Sequence, residues 1–212
     1  MVLVARDEPR LNETLRQMDG EGHLIFSIDL ARADDLSGLL EAATKDGVLL
    51  NGLVHCAGIA TILPLGLMTR AKMDECMSVN FYPFIELVRQ ASKKRFRAEK
   101  MSIVAVSSLA ALYPRKCQTV YASSKAALNL AVQSLAIELA EKNIRINSVG
   151  LGSVDTKMLQ ESNDMMSQNE TPPQLLGISK PEQIAYSIMY LLSEASSSMT
   201  GRFLFADGGA VI

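Results

Sequence analysis

Short apolar runs alternate with longer mixed segments along this chain. Residues 2–5 are apolar and partly β-branched, and the charged segment 6–18 carries Pro9 near its start, a position typical of a first helical turn. The same pattern predicts further strands at 23–28, 49–55, 101–106, 144–149 and 202–206, and further helices at 33–45, 69–94, 121–141 and 181–193. Alternation of strand and helix predicts a parallel sheet covered by helices on both faces, the α/β class.

Bulk properties indicate one domain that spans all 212 residues, of which 48% are hydrophobic and 21% charged. With 21 basic and 23 acidic residues, the net charge of -2 provides no basic field for a nucleic acid partner. We find no apolar stretch of about 18 residues and no signal peptide, so we expect a cytoplasmic protein without a membrane span. The widely spaced Cys56, Cys76 and Cys117, with two histidines, indicate reduced thiols and neither disulfides nor a metal site.

Tyr121 and Lys125 carry the candidate chemistry. If Tyr121 opens a helix, a spacing of four places both side chains on one helical face. A tyrosine titrates near pH 10, and a neighbouring ammonium favours its phenolate, which suits proton exchange with a substrate. Ser108 follows a predicted buried strand at the sheet edge where α/β proteins bind ligands. The alternative is an amphipathic helix edge, with the lysine extending past an aromatic ring.

The wider pattern resembles the short-chain dehydrogenase/reductase family, with 3-oxoacyl-carrier-protein reductases as the nearest group. The likeness runs from Met1 to the C-terminus. The matching features, in family order, are Ala57-Gly58, Asn80, Ser108, Tyr121, Lys125 and Asp207-Gly208-Gly209. The resemblance implies a Rossmann-like doubly wound sheet, reduction of a small-molecule carbonyl to an alcohol or the reverse, and a homo-dimer or homo-tetramer.

The resemblance also implies catalytic roles. Tyr121 is the proton donor, Ser108 orients the substrate oxygen, and Lys125 lowers the pKa of the tyrosine and binds the cofactor ribose. Asn80 lies in a helix disturbed by Pro83 and completes a proton relay through water. The alternative for Asn80 is a polar residue on an exposed helix face.

Two strand ends are implied to bind the adenine half of the cofactor. Arg6 follows the first strand without an acid before it, which favours NADP over NAD because a basic residue pairs with the 2′-phosphate. Asp29 and Leu30, after the next strand, match the family's adenine contact. Arg6 could instead be a solvated arginine, and Asp29 a helix-start residue.

The segment His55-Cys56-Ala57-Gly58 stands where the family has Asn-Asn-Ala-Gly. Ala57 and Gly58 allow the backbone to approach the cofactor closely. His55, also in the implied cofactor site, is expected to be packed and hydrogen-bonded rather than a metal ligand, since no second ligand lies nearby in sequence. Cys56 is expected to be a small buried hydrophobe.

Residues 147–156 resemble the family segment that holds the nicotinamide, with Val154 and Thr156 as contacts and Leu151 in place of a proline. The methionine-rich and leucine-rich stretch 157–179 is expected to form a mobile substrate lid, or else a loop packed on its own domain. Arg115 and Lys116 are candidates to bind an anionic group of the substrate, such as that of a phosphopantetheine carrier. The alternative is that they are a solvated pair of charges.

One family feature is missing from the sequence. No G-x-G-x-x-G run is present, and by resemblance residues 1–5 form the family's second strand. A strand-and-helix unit of roughly 30 residues is therefore absent, which leaves the family's second and third strands without a partner on that side.

We expect an incomplete sequence, although a strand from another chain is an open alternative. The rival function is a truncated or non-catalytic relative that acts as an oligomeric scaffold. Its subunit contacts would use the apolar positions Ala126, Leu130, Ala131, Leu135 and Leu139.

Overall fold

A computed structural model describes residues 1–165 and 173–210, and its strands and helices alternate along the chain. In order they are β1 (Val2–Ala5), α1 (Glu8–Arg16), β2 (Leu24–Ser27), α2 (Ala33–Ala43), β3 (Leu50–His55), α3 (Arg70–Asn80), α4 (Tyr82–Ala91), β4 (Arg97–Ser108), α5 (Thr119–Leu139), β5 (Ile144–Leu151), α6 (Lys157–Met165), α7 (Pro181–Leu192) and β6 (Phe203–Ala206). None of the helices in these two ranges has the length and apolar character that crossing a bilayer demands.

The strands form two parallel sheets. β1 pairs only with β2, and the larger sheet has the order β3-β4-β5-β6. The predicted α/β class is therefore confirmed. Within the described residues, β1 and β3 each have one edge without a strand neighbour, and this agrees with the predicted gap.

One hydrophobic core nevertheless joins the two sheets. Helices α2, α4 and α5 pack on one face, where Leu36, Phe84 and Leu128 are fully buried. Partly buried residues of both sheets, including Val4 of β1 and Leu53 of β3, pack against this core. The helix layer thus holds the two sheets together where no backbone ladder does.

The predicted helical region over 69–94 consists of two helices that meet at Phe81, and the disturbance expected from Pro83 lies at their junction. α3 ends at Asn80 and α4 starts at Tyr82, with Pro83 in its first turn. Proline has no amide hydrogen to donate, so it fits a first turn and disfavours a continuous helix. α5 also begins two residues before Tyr121, at Thr119.

Candidate functional site

A cavity of about 440 Å³ lies at the carboxyl ends of β4 and β5. Ser108 ends β4, and Tyr121 and Lys125 lie in the first two turns of α5. All three line the cavity, as do Gly58 from the turn after β3 and Thr156 from the loop after β5. The structure therefore brings together three of the four residues that are predicted for catalysis, Ser108, Tyr121 and Lys125, at the expected edge of the sheet.

The environment of Tyr121 differs from the expectation that Lys125 lowers its pKa. Burial raises the pKa of Tyr121 above its ordinary value, and a hydrogen bond with Ser108 opposes that rise. The Lys125 Nζ instead donates to the Val106 carbonyl oxygen at 2.9 Å. The phenol is consequently kept protonated, the form that a proton donor requires.

Lys125 is itself perturbed by burial. Only 4% of the residue is exposed, and desolvation lowers its pKa to about 8. The turn after β3 approaches it closely, because a Cβ at Gly58 would lie 3.3 Å from the Lys125 Nζ and 3.4 Å from the Asn80 Oδ1. Glycine at this position lets the backbone of the turn lie against both side chains.

Asn80 is fully buried at the end of α3, so the exposed-face alternative is wrong. Its Oδ1 accepts from the Ile59 amide at 2.8 Å, and its Nδ2 donates to the Ile59 carbonyl at 3.0 Å and to the Ser124 Oγ at 2.9 Å. The Ser124 hydroxyl in turn donates to the Tyr121 carbonyl at 2.7 Å. Asn80 thereby ties the turn after β3 to the helix that carries Tyr121.

Sequence reasoning missed Ser124. A polar residue three positions after Tyr121 lies one turn along the same helix, and this spacing could have identified it as a link to the catalytic helix. Ser124 has no exposed surface.

His55 and Cys56 depart from the expectations in different ways. His55 is 1% exposed and packs against Phe84, but its Nε2 has no hydrogen-bond partner. Burial, and next the charge of Lys125, lower the pKa of His55 to about 4. The prediction that Cys56 is buried is wrong. The residue directly follows β3, is exposed and lines the cavity.

The residues predicted to bind the adenine half lie outside this cavity. Arg6 is exposed at the end of β1, and its carbonyl accepts from the Ser27 hydroxyl. The Asp29 Oδ1 accepts from the Ala31 amide within a turn that precedes α2, whose N-cap is Arg32, so Asp29 does not cap the helix, and Leu30 packs against the core. Of the remaining residues predicted to bind the cofactor, Val154 and Thr156 line the cavity. Ala57 is half-buried and His55 is buried, and neither lines it.

The segment predicted as a lid is partly helical. Residues 157–165 form α6, from which Met158 and Leu159 line the cavity. The predicted lid residues 166–172, including Met166 and Pro172, lie outside the described residues. Arg115 also lines the cavity, whereas the neighbouring Lys116 is exposed and does not.

The hydrogen-bond donors that line the cavity suit the nicotinamide and ribose half of a dinucleotide cofactor. The Gly58 backbone gives close approach, and Tyr121, Lys125 and Thr156 supply hydroxyl and ammonium groups that suit ribose hydroxyls and a carboxamide. No run of three glycines for the pyrophosphate is present in the sequence. No group of three or more potential metal ligands occurs among residues 1–165 and 173–210.

Comparison with known proteins identifies the family. The chain matches the family described as enoyl-(acyl carrier protein) reductase over residues 1–211. It is 30% identical to the 3-oxoacyl-(acyl-carrier-protein) reductase FabG of Thermotoga maritima, over 88% of this chain and 76% of that protein.

Two solved structures agree with this assignment. A short-chain dehydrogenase/reductase of Brucella melitensis, titled glucose/ribitol dehydrogenase, is 29% identical with a TM-score of 0.90, covering 100% of this chain and 86% of that one. A 4-hydroxyisoleucine dehydrogenase complexed with NADH is 25% identical with a TM-score of 0.88, covering 99% and 87%. The chain therefore belongs to the short-chain dehydrogenase/reductase family, whose members are NAD(P)-dependent oxidoreductases acting on CH-OH and C=O groups.

Proposed function

We propose that this protein is an NADP-dependent carbonyl reductase in which Tyr121 is the general acid. The carrying observation is that Ser108, Tyr121 and Lys125 line one cavity, with the Ser108 hydroxyl next to the Tyr121 phenol. When bound, the cofactor supplies a hydride to the carbonyl carbon. The carbonyl oxygen receives its proton from Tyr121, so that one carbonyl, one NADPH and one proton give one alcohol and one NADP⁺.

The other residues support that proton transfer. Ser108 donates a hydrogen bond that orients the substrate oxygen beside Tyr121, and Lys125 binds ribose hydroxyls with its buried ammonium. Asn80 connects to this site through Ser124 and the turn after β3, so it fixes the position of the catalytic helix and is a proposed member of the proton relay. In the oxidation direction the same groups act in reverse.

Tyr121→Phe tests the general acid directly, because it removes the hydroxyl and keeps the ring. We expect turnover to fall by about 10²- to 10⁴-fold, the usual contribution of a positioned acid or base. NADPH should still raise the thermal unfolding midpoint of the variant. Tyr113→Phe is the matched control because Tyr113 lines the same cavity, and it should retain turnover. Substantial turnover by the Tyr121→Phe variant would contradict this mechanism.

The preference for NADP rests on the position of Arg6 after β1, where its exposed guanidinium can pair with a 2′-phosphate. Arg6→Gln should reduce the thermal stabilisation by NADPH and leave that by NADH unchanged. Arg10→Gln is the control, because it removes an exposed arginine that lies in α1. An equal response of the two variants would contradict a specific phosphate contact.

We also propose a homo-oligomer in the cytoplasm. Leu130 and Ile137 of α5 are 67% and 81% exposed, which supports a subunit contact through this helix. The three free cysteines support a reducing compartment. Of the positions predicted for subunit contacts in the scaffold alternative, Leu130 is exposed, whereas Leu139 is buried and Ala131 and Leu135 pack against the core. Retention of Ser108, Tyr121 and Lys125 in one cavity favours the enzyme.

A further inference from the structure

Apolar side chains make up most of the cavity wall. A volume of about 440 Å³ is within the range of small-molecule sites. Such walls bind the carbon skeleton of a substrate through apolar burial and leave orientation to a few polar groups. The larger apolar residues that line the cavity are Ile62, Leu109, Tyr113, Leu159, Ile184 and Ile188.

The charged side chains in the described part of this wall already interact with the protein itself. Lys125 donates to the Val106 carbonyl at 2.9 Å, and its ammonium belongs to the catalytic centre. Arg115 also has an interaction partner within the protein. Among the described lining residues, no aspartate or glutamate is present. An ionised group on the substrate body would therefore leave water without a free counter-charge, which costs free energy, so the wall favours an uncharged body.

Gln118 places a side-chain amide in the same wall, one helical turn before Tyr121. It is the N-cap residue of α5, and its carbonyl accepts from the Ala122 amide at 2.7 Å, so the first turn of the helix starts from it. Residues three apart on a helix have Cβ atoms about 5–6 Å from each other. Gln118 and Tyr121 can therefore contact two different oxygens of one small substrate.

The Gln118 side chain is oriented by a hydrogen bond to the backbone. Its Oε1 accepts from the Arg115 amide at 3.0 Å. No hydrogen bond within residues 1–165 and 173–210 uses its Nε2, which carries two N–H donors. The Ser162 hydroxyl, another polar group of the wall, donates instead to the Met158 carbonyl at 2.7 Å within α6. Gln118 thus presents a positioned donor whose acceptor a ligand can supply.

We propose that Gln118 donates a hydrogen bond to an uncharged oxygen of the substrate, so that this enzyme reduces aldehydes or ketones with an apolar body and a second, uncharged oxygen. This inference rests on the proposed function and deepens it by naming the substrate class. An ester, amide or ether oxygen has the lone pairs that an amide donor requires, and it enters an apolar cavity at a lower cost than a carboxylate does. The spacing of Gln118 and Tyr121 puts this second oxygen within a few bonds of the reacting carbonyl.

Matched substrates and one isosteric substitution test the role of Gln118. The substrates are an oxo methyl ester, the hydrocarbon ketone of the same length and the corresponding oxo acid. Gln118→Glu keeps an acceptor for the Arg115 amide and removes the N–H donors. The ratio of kcat/KM for the ester to that for the ketone should fall by about 3- to 10-fold, the worth of one hydrogen bond between uncharged groups. Gln133→Glu, the same change at an exposed position of α5, should leave that ratio unchanged.

Chain length tests the apolar body of the substrate. In the wild-type enzyme each methylene added to the ester should raise kcat/KM by about 4-fold until the cavity is filled, because the added group is buried against the wall. The wild-type enzyme should also reduce the ester with a higher kcat/KM than the acid, since the carboxylate loses its hydration.

Any one of four results would overturn the inference. They are an ester-to-ketone ratio unaltered by Gln118→Glu, an equal effect of Gln133→Glu, a kcat/KM that does not depend on chain length, or a wild-type preference for the acid over the ester. Gln118→Met provides a second variant if Gln118→Glu does not fold, and it should lower the ratio as well because it also lacks the N–H donors. A wild-type protein that binds NADPH but reduces no carbonyl compound would overturn the proposed function itself, and the inference with it.

Discussion

His55 and Lys125 place two basic side chains in the interior near one another. Burial disfavours the charged form of each, and the charge on Lys125 lowers the pKa of His55 further. With values of about 4 and about 8, the imidazole is neutral at pH 7 while the lysine is mostly protonated. The positive charge beside Tyr121 therefore belongs to Lys125, and His55 serves as a neutral packing residue.

Acid should destabilise this protein through His55. The pKa of His55 is about 4 in the folded protein, whereas the ordinary value for histidine is 6.5. Between these two pH values the unfolded state therefore binds a proton that the folded state does not. The free energy of unfolding should consequently fall as the pH drops through this window, by about 3 kcal/mol in total. His55→Leu should lack this contribution in urea unfolding measured across the same range.

His23→Gln is the control for that experiment, because it removes the other histidine from a surface turn. An acid dependence that is unchanged in His55→Leu, or altered equally in both variants, would contradict the assignment.

At the scale of elements, the sequence predicts the order of strands and helices and the edge of the sheet that binds ligands. Residue spacing predicted that Tyr121 and Lys125 share one helical face, and the resemblance to the family added Ser108 to the same site. The interruption at Phe81 was missed as a boundary because Pro83 disfavours a continuous helix without specifying where it stops. The hydrogen bonds from Asn80 to Ile59 and Ser124 join segments distant in the chain, so local pattern could not reveal them.

Gln174 lies in a loop beside the cavity and bonds to Ser153, which lines the cavity. Its Oε1 accepts from the Ser153 amide, and its Nε2 donates to the Gly177 carbonyl at 2.8 Å. The contact is close, since a Cβ at Gly152 would lie 2.7 Å from the Oε1 and one at Gly208 would lie 2.9 Å from the Nε2. One amide side chain thus connects the loop after β5, the end of the predicted lid and the turn after β6.

Gln174→Met should loosen these three loops, because it keeps the side-chain length and removes both hydrogen bonds. We expect a loss of about 1–2 kcal/mol in the free energy of unfolding and a KM for carbonyl substrate raised several-fold, with a smaller change in kcat. Urea unfolding and steady-state kinetics provide the two readouts. Gln160→Met, on the exposed side of α6, is the control, and matching effects in the two variants would contradict the role of Gln174.

At the scale of the molecule, two sheets share one helix-covered core without a common backbone ladder. The smaller unit has two strands of four residues each, and Leu11 is the buried residue of its helix α1. The larger sheet has four strands, and β4 and β5 pair over eight residues. Two-stranded units are marginally stable alone, so the smaller unit depends on its contacts with α2 and the shared core.

Native-state hydrogen exchange should therefore separate the two sheets. We expect the amides of β1 and β2 to exchange at least about 10-fold faster than those of β4 and β5, because local opening of the smaller unit exposes little apolar surface. Equal protection in both sheets would mean that they unfold as one cooperative unit, contrary to this description.

The central claim is hydride transfer to a carbonyl with Tyr121 as the proton donor. Its most direct test is a single-turnover reaction of the wild-type chain with deuterium-labelled NADPH and a carbonyl substrate, followed by mass analysis of the alcohol. The account predicts one deuterium on the carbinol carbon, formed at a rate that Tyr121→Phe lowers by about 10²-fold or more. A protein that binds NADPH yet forms no deuterated alcohol, or a Tyr121→Phe variant that forms it at the wild-type rate, would contradict the account.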